Sequence, residues 1–312
     1  MADRKMKSNS KWVQFFNGDL WYDFTRSPVA IVSFITTVGC LFLAASAQWV
    51  APFDIFDLAT LELMDADLPP PWADEYGEDK FFLGTDDQGR DIWSGILYGA
   101  QISVFVGFAS VIISAIVGVA LGLLAGYAGG RIDSFIMRVA DIQLSFPAIL
   151  IALLIDGVMR GLLPRELHDE LAIYVLIFAI SISGWVQYAR TIRGSVMVEK
   201  HKEYVQAGQV IGLPSRIIAV KHILPNVLNP LFVIGTIHLA TAIITEATLS
   251  FLGVGMSPTT PSLGTLIRIG NEYLLSGEWW ITLFPGLALV ILVLSVNIFG
   301  DWLRDALNPK LR

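Results

Sequence analysis

The sequence predicts an all-α integral membrane protein with six transmembrane helices, and three observations carry that prediction. Of 312 residues, 54% are hydrophobic and 16% charged, with a mean hydropathy of +0.61; a soluble chain carries roughly 25% charged residues. Apolar runs of about the 20 residues needed to cross hydrocarbon recur along the chain. The charges separate by sign, with acids crowded into residues 51–98 and bases into 1–28 and 190–226, as the positive-inside rule requires of loops on opposite faces. The single cysteine, Cys40, lies in an apolar run, which excludes an internal disulfide and a thiolate metal site. His168, His201, His222 and His238 are scattered without HExxH spacing, so each reads as structural.

Residues 1–28 form a cytoplasmic segment in which Arg4, Lys5, Lys7, Lys11 and Arg26 interleave with Trp12, Phe15, Phe16, Trp21, Tyr22 and Phe24, a pattern suited to the headgroup level. Pro28 opens the first span, Ala30 to Val50, within a unit at 29–51. Ala45-Ser46-Ala47 resembles a signal-peptidase site, but the long basic region and extended apolar run favour an uncleaved anchor. Residues 52–98 form an extracytoplasmic loop; between 51 and 98 stand twelve acidic residues and only Lys80 and Arg90 as strong bases. The loop closes on Leu83-Gly84-Thr85-Asp86-Asp87-Gln88-Gly89-Arg90-Asp91, whose glycines and aspartates supply turn chemistry.

The remainder, 99–308, reads as a five-helix transmembrane domain. Its first span, Ile102 to Gly126, carries Gly118, Gly122 and Gly126 at four-residue spacing, which lets a neighbouring helix approach closely. The third span of the chain, about Phe135 to Val158, holds Arg138 and Asp141, three apart on one face near the cytoplasmic end. They read as a mutually neutralised pair, with Pro147 kinking the helix above them. Arg160 to Glu170 is expected as an outside loop and Leu171 to Ala189 as the fourth span. The cytoplasmic stretch 190–226 follows, with Arg190, Arg193, Lys200, Lys202, Arg216 and Lys221 as the largest basic cluster.

Within that stretch Glu203 to Ile211 predicts a helix of two turns stopped by Gly212 and Pro214. A second is expected from Ser215, acting as N-cap, and is ended by Leu224-Pro225. Ala207 and Gly208 are small enough to admit a partner's surface. The fifth span, Pro230 to Leu252, buries Glu246 by depth. Such a carboxylate costs at least ~2.5 kcal/mol unless paired or protonated, which leaves a hydrogen-bonded helix interface, a water-filled pathway or proton coupling. Trp279 and Trp280 anchor the outer edge of the sixth span, and Lys310 and Arg312 close the tail inside. Six spans with both termini inside put sixteen of twenty-one Lys and Arg on the cytoplasmic side.

Four segments carry a family resemblance over nearly the whole chain. Gln206-Ala207-Gly208, then Gly212, then Leu224-Pro225 resemble the EAA loop of ABC-importer permeases. Gln206 stands where the family has Glu and Gly208 where it has Ala; glutamine keeps the length and an acceptor without the charge, and Glu203 lies one turn earlier. Gly84, Thr85, Asp86, Gly89, Arg90 and Asp91 match the LGTDxxGRD signature of oligopeptide and dipeptide permeases. Glu246 to Gly253 is similar to EAALSFLG with Thr248 for alanine, and Pro261-Ser262-Leu263-Gly264 to PSWG. The resemblance is to the C-type permease of an oligopeptide or dipeptide importer, and implies a type I permease architecture.

It further implies a second permease, one or two cytoplasmic ATPases, an extracytoplasmic solute-binding protein and a bacterial or archaeal plasma membrane. By the same resemblance the 206–225 motif couples to the ATPase, which alone binds ATP and magnesium, so no cofactor, metal or catalytic residue is expected here. No nucleic-acid partner is expected. Two other classes stand against this reading. An ion-coupled secondary transporter would rely on Glu246 as its deep charge, although broken helices and midplane ion ligands are then expected. An intramembrane enzyme lacks a nucleophile or metal constellation.

Overall fold

The computed structural model describes residues 19–56 and 61–306. The basic residues Arg4 to Lys11, and Lys310 and Arg312, lie outside that range. The described chain is almost wholly helical, with one isolated β-bridge between Thr85 and Asp91.

Helix α1, Asp19–Arg26, turns at Ser27 into α2, Pro28–Ala45, where the Ser27 side chain caps and Pro28 occupies the first turn. Such a proline loses nothing there, because that N–H has no helical partner. The first span ends at Ser46 and continues as the short α3, Ala47–Val50. Phe24 of α1 meets Phe34 of α2 and Trp302 near the chain's end, at ring separations of 5.5 and 5.2 Å.

Helix α4 runs over Ile92–Ala128, 37 residues, about 55 Å at 1.5 Å per residue. It therefore starts ten residues before the expected span. Asp91 caps it, accepting from Ser94 N at 2.8 Å and Ser94 Oγ at 2.7 Å, so the last residues of the outer loop are helical. Its long partner is α7, His168–Glu199. A β-carbon at Gly118 or Gly122 would lie 2.5 Å from the Trp185 or Ala189 carbonyl oxygen, which bears out the close approach expected of these glycines.

The expected third span is two helices, α5 over Gly130–Leu144 and α6 over Ala148–Leu162, bent by 93°. Pro147 lacks the N–H that would continue the ladder and disfavours a helical Phe146; Ser145 Oγ donates to Asp141 O at 2.9 Å, closing α5. The bend exceeds the kink expected of Pro147. The expected outside loop Arg160 to Glu170 shrinks to 163–167, since Arg160 belongs to α6 and α7 opens at His168.

After α7 come α8, Glu203–Val210; α9, Ser215–Ile217; a π-helical stretch, Ile218–Ile223; and α10, Leu224–Val227. Helix α11, Asn229–Phe251, contacts α4, α6, α7 and the two helices after it. Those are α12, Leu263–Tyr273, capped by Ser262 within what was expected as loop, and α13, Trp279–Ala306, with Pro285 inside it. Five described helices are long and apolar enough to cross a membrane, six if α5 and α6 form one bent span.

Candidate functional site

The EAA-like segment folds as a small platform at the C-terminal end of α7. Val205, Ile218, Ile223 and Val227 are buried against Ile192 and Val196 of α7, with Leu224 packed beside them. Glu199 ties the platform down: Lys202 Nζ lies 2.8 Å from its Oε2 and Tyr204 Oη donates to its Oε1 at 2.7 Å. The Glu199 hydrogen bond raises the Lys202 ammonium above its usual value. Asn226 Nδ2 donates to Tyr204 Oη at 3.1 Å, joining α10 to α8.

Glu203, Gln206 and Ala207 are exposed, whereas Gly208 is buried. Gly208 faces Leu213 and Ile218, so of the two small residues only Ala207 is open to a partner. Gln206 Nε2 donates to the His201 carbonyl at 3.1 Å. Gly212 has φ +81°, a left-handed turn that suits glycine. Two expectations fail here. Ser215 makes no side-chain cap, since Pro214 precedes α9 in the capping position; and Leu224-Pro225 does not end the helical path, because a proline fits the first turn of α10. The tip of the platform is apolar, which the helix-and-stop pattern of the sequence does not single out: Val210 is 88% and Ile211 77% exposed. In the sequence they are two β-branched residues directly ahead of the helix-stopping Gly212.

The intramembrane pair also needs correcting. Arg138 and Asp141 are both exposed, and Asp141 Oδ1 instead pairs with Arg190 Nη2 of α7 at 2.5 Å. Asp133 likewise pairs with Arg193. A helix-surface neighbour three residues away is a weak attraction, and α7 presents two arginines one turn apart, one to each acid of α5.

Ahead of α4 the signature loop is a buried knot. Gly84 has φ +83°, and a β-carbon there would stand 2.5 Å from Leu68 O. Thr85 Oγ1 donates to Asp65 O at 2.5 Å and accepts from Leu68 N at 2.9 Å. Asp86 Oδ1 accepts from Gln88 N and Arg90 N, both at 2.9 Å, while Arg90 Nε lies 2.7 Å from its Oδ2. Beside the knot, burial first and Asp86 second push Asp87 and Asp67 up; burial first and Asp67 second push Glu278 up.

Glu246 is fully buried and accepts from Ser103 Oγ of α4 at 2.6 Å and Ser250 Oγ at 2.7 Å. Both serines also receive backbone N–H groups from beyond α11, Leu263 N at the start of α12 at 3.4 Å and Met256 N of the intervening loop at 3.3 Å. Of the readings left open for it, the hydrogen-bonded helix interface is the one observed.

A polytopic helical bundle with a compact platform at one end and a knotted cap at the other is the architecture of a multi-pass membrane protein. The chain belongs to the family of binding-protein-dependent transport system inner membrane components, whose pattern matches residues 118–312, and it is a multi-pass inner-membrane protein. It is 36% identical to the di/tripeptide transport system permease protein DppC of Pseudomonas aeruginosa, over 94% of this chain and 92% of that one. It is 38% identical to the dipeptide transport system permease protein DppC of Haemophilus influenzae, over 94% and 95%. The fold is similar to that of a chain of the inward-facing MetNI methionine ABC transporter, with a TM-score of 0.52 at 20% identity, covering 67% of this chain and 94% of that chain. Membership of this family gives no support to the ion-coupled alternative.

Proposed function

We propose that this chain is one of two permease subunits of an ATP-driven importer, and that the platform around α8 docks on a cytoplasmic ATPase. The observation that carries the docking is the exposed pair Val210 and Ile211 beside the left-handed Gly212. Two apolar side chains held on a rigid, buried base, in a basic region, suit an apolar groove on a soluble partner. The ATPase binds ATP and magnesium; this chain takes no cofactor. Both termini are cytoplasmic, a solute-binding protein delivers cargo from outside, and the cargo is a di- or oligopeptide, as the names of the relatives support.

Copurification of this chain with its ATPase and second permease tests the docking, comparing wild type with Gly212→Pro and Ile211→Glu. Loss of the ATPase from both variants while the second permease stays is the expected result. An ATPase retained by both variants sinks the docking site, and a correctly inserted wild type that captures no ATPase sinks the importer reading. Uptake of a labelled dipeptide by proteoliposomes holding the whole complex tests the cargo; uptake no greater than in liposomes lacking it rejects peptides.

A further inference from the structure

The loop between α11 and α12 is held by two arginines from different parts of the molecule. Arg90, in the outer knot, donates to Pro258 O at 2.8 Å. Arg160, at the outer end of α6, donates to Gly255 O at 3.2 Å. Each guanidinium is fixed by an acid four residues earlier, Asp86 for Arg90 and Asp156 for Arg160, both at 2.7 Å. The two held carbonyls are three residues apart, so movement of α6 against the knot must shear or carry this loop.

Helix α6 is held mainly along one side, against α7, and among the described residues its other side is open. Its buried residues are Ala152 and Asp156, while Ile149, Leu150, Leu154, Val158 and Leu162 are exposed. It is separated from α5 by the 93° break, and α5 is bound through Asp133 and Asp141 to Arg193 and Arg190. Those arginines lie on the stretch of α7 that carries the cytoplasmic platform. Asp156 is 2% exposed, and burying a charge is costly even when paired; an apolar pair would stabilise α6 at least as well. What the pair adds is a guanidinium aimed at a carbonyl of another segment.

We propose that Asp156 and Arg160 are positioning residues that make the outer loop, residues 252–262, follow α6 when the cytoplasmic platform moves. This rests on the transport reading above. Neither residue belongs to the EAA-like segment or to the outer signature.

The test uses the whole complex in nanodiscs, in a Cys40→Ala background with Thr259→Cys as reporter on the loop. Labelling by a membrane-impermeant maleimide is compared without nucleotide and with ATP and vanadate. In the otherwise unmodified complex the labelling rate changes with nucleotide. Arg160→Gln and Arg160→Lys, the latter keeping the charge beside Asp156, abolish that change, an effect of about fivefold or more on the size expected of allosteric coupling. Subunit assembly and basal ATP hydrolysis stay intact, which a merely structural role would not predict. If Arg160→Gln does not assemble, Arg160→Lys decides. A nucleotide response kept by an assembled Arg160 variant overturns the proposal alone, as does a reporter complex that takes up peptide without any response; a reporter complex with neither response nor uptake overturns the transport reading with it.

Discussion

Arg90 Nη1 donates to the Pro258 carbonyl across 168 residues of chain, joining the loop before α4 to the loop after α11. The same guanidinium is 4% exposed and paired with an Asp86 side chain that is 5% exposed. Removing one member of a buried pair leaves the other charge uncompensated, at a cost of about 3–5 kcal/mol. Arg90→Ala is therefore expected to destabilise the protein by about 3 kcal/mol or more, measured by equilibrium unfolding in mixed micelles. A loss below about 1 kcal/mol, the scale of an exposed pair, would show that the knot does not depend on this contact.

The acids beside the knot set a pH dependence. Asp67, Asp87 and Glu278 all have raised folded values, burial being the largest cause and neighbouring carboxylates the second. The groups facing them are Asp86, Arg90 and Tyr273, whose Oη lies 3.4 Å from Asp87 Oδ2. Each acid is harder to ionise folded than unfolded, so the folded cap holds more protons. Its stability is full below the unfolded carboxyl values of about 4 and is lost as pH rises through the raised folded ones. Amide exchange over 62–91, corrected for intrinsic rate, should be slower at about pH 5 than at about pH 8. Asp67→Asn should flatten that difference; a cap that opens more readily in acid contradicts the assignment.

The glycines of α4 separate close packing from mere smallness. Gly122→Val is expected to cost about 1–3 kcal/mol by overpacking, since its β-carbon would start 2.5 Å from the Ala189 carbonyl oxygen. Gly157→Ala, on α6, meets nothing within 4 Å and should be neutral or slightly stabilising, because it removes a flexible residue from a helix. Thermal unfolding of the two variants in one detergent compares them directly, and equal shifts would refute tight α4–α7 packing as the reason for these glycines.

The spans and their order were legible because hydropathy and charge sign are properties of the chain alone. So was the turn chemistry of Gly84 to Asp91. Arg90's grip on Pro258 was not, because no local pattern links residues 168 apart. Pro147 announced a break, but the 93° angle accompanies the docking of α5 on α7 through Asp133 and Asp141, and those partners sit some fifty to sixty residues on. The pairing of Asp141 with Arg138 failed for the same reason: proximity along a helix competes poorly with an arginine presented by a packed neighbour. Gly208 was read by size alone, and only the fold turns it inward against Ile218.

Glu246 tests whether a buried carboxylate in the fifth span serves as a charge or as an anchor. Its two oxygens accept from Ser103 and Ser250, which in turn hold the backbone of Leu263, at the start of α12, and of Met256 within the 252–262 loop. A glutamine has the same shape; its oxygen can accept from one serine and its amide can donate to the other's lone pair. Glu246→Gln should therefore cost about 1 kcal/mol, the net value of one hydrogen bond, and leave uptake and stimulated ATP hydrolysis near wild type. Glu246→Leu cannot satisfy either serine, and about 1–3 kcal/mol is lost for each buried group left unpaired; protease sensitivity of the loop should rise with it. Uptake abolished in Glu246→Gln while ATP hydrolysis remains stimulated would make the charge itself part of transport, and the anchor account would fall.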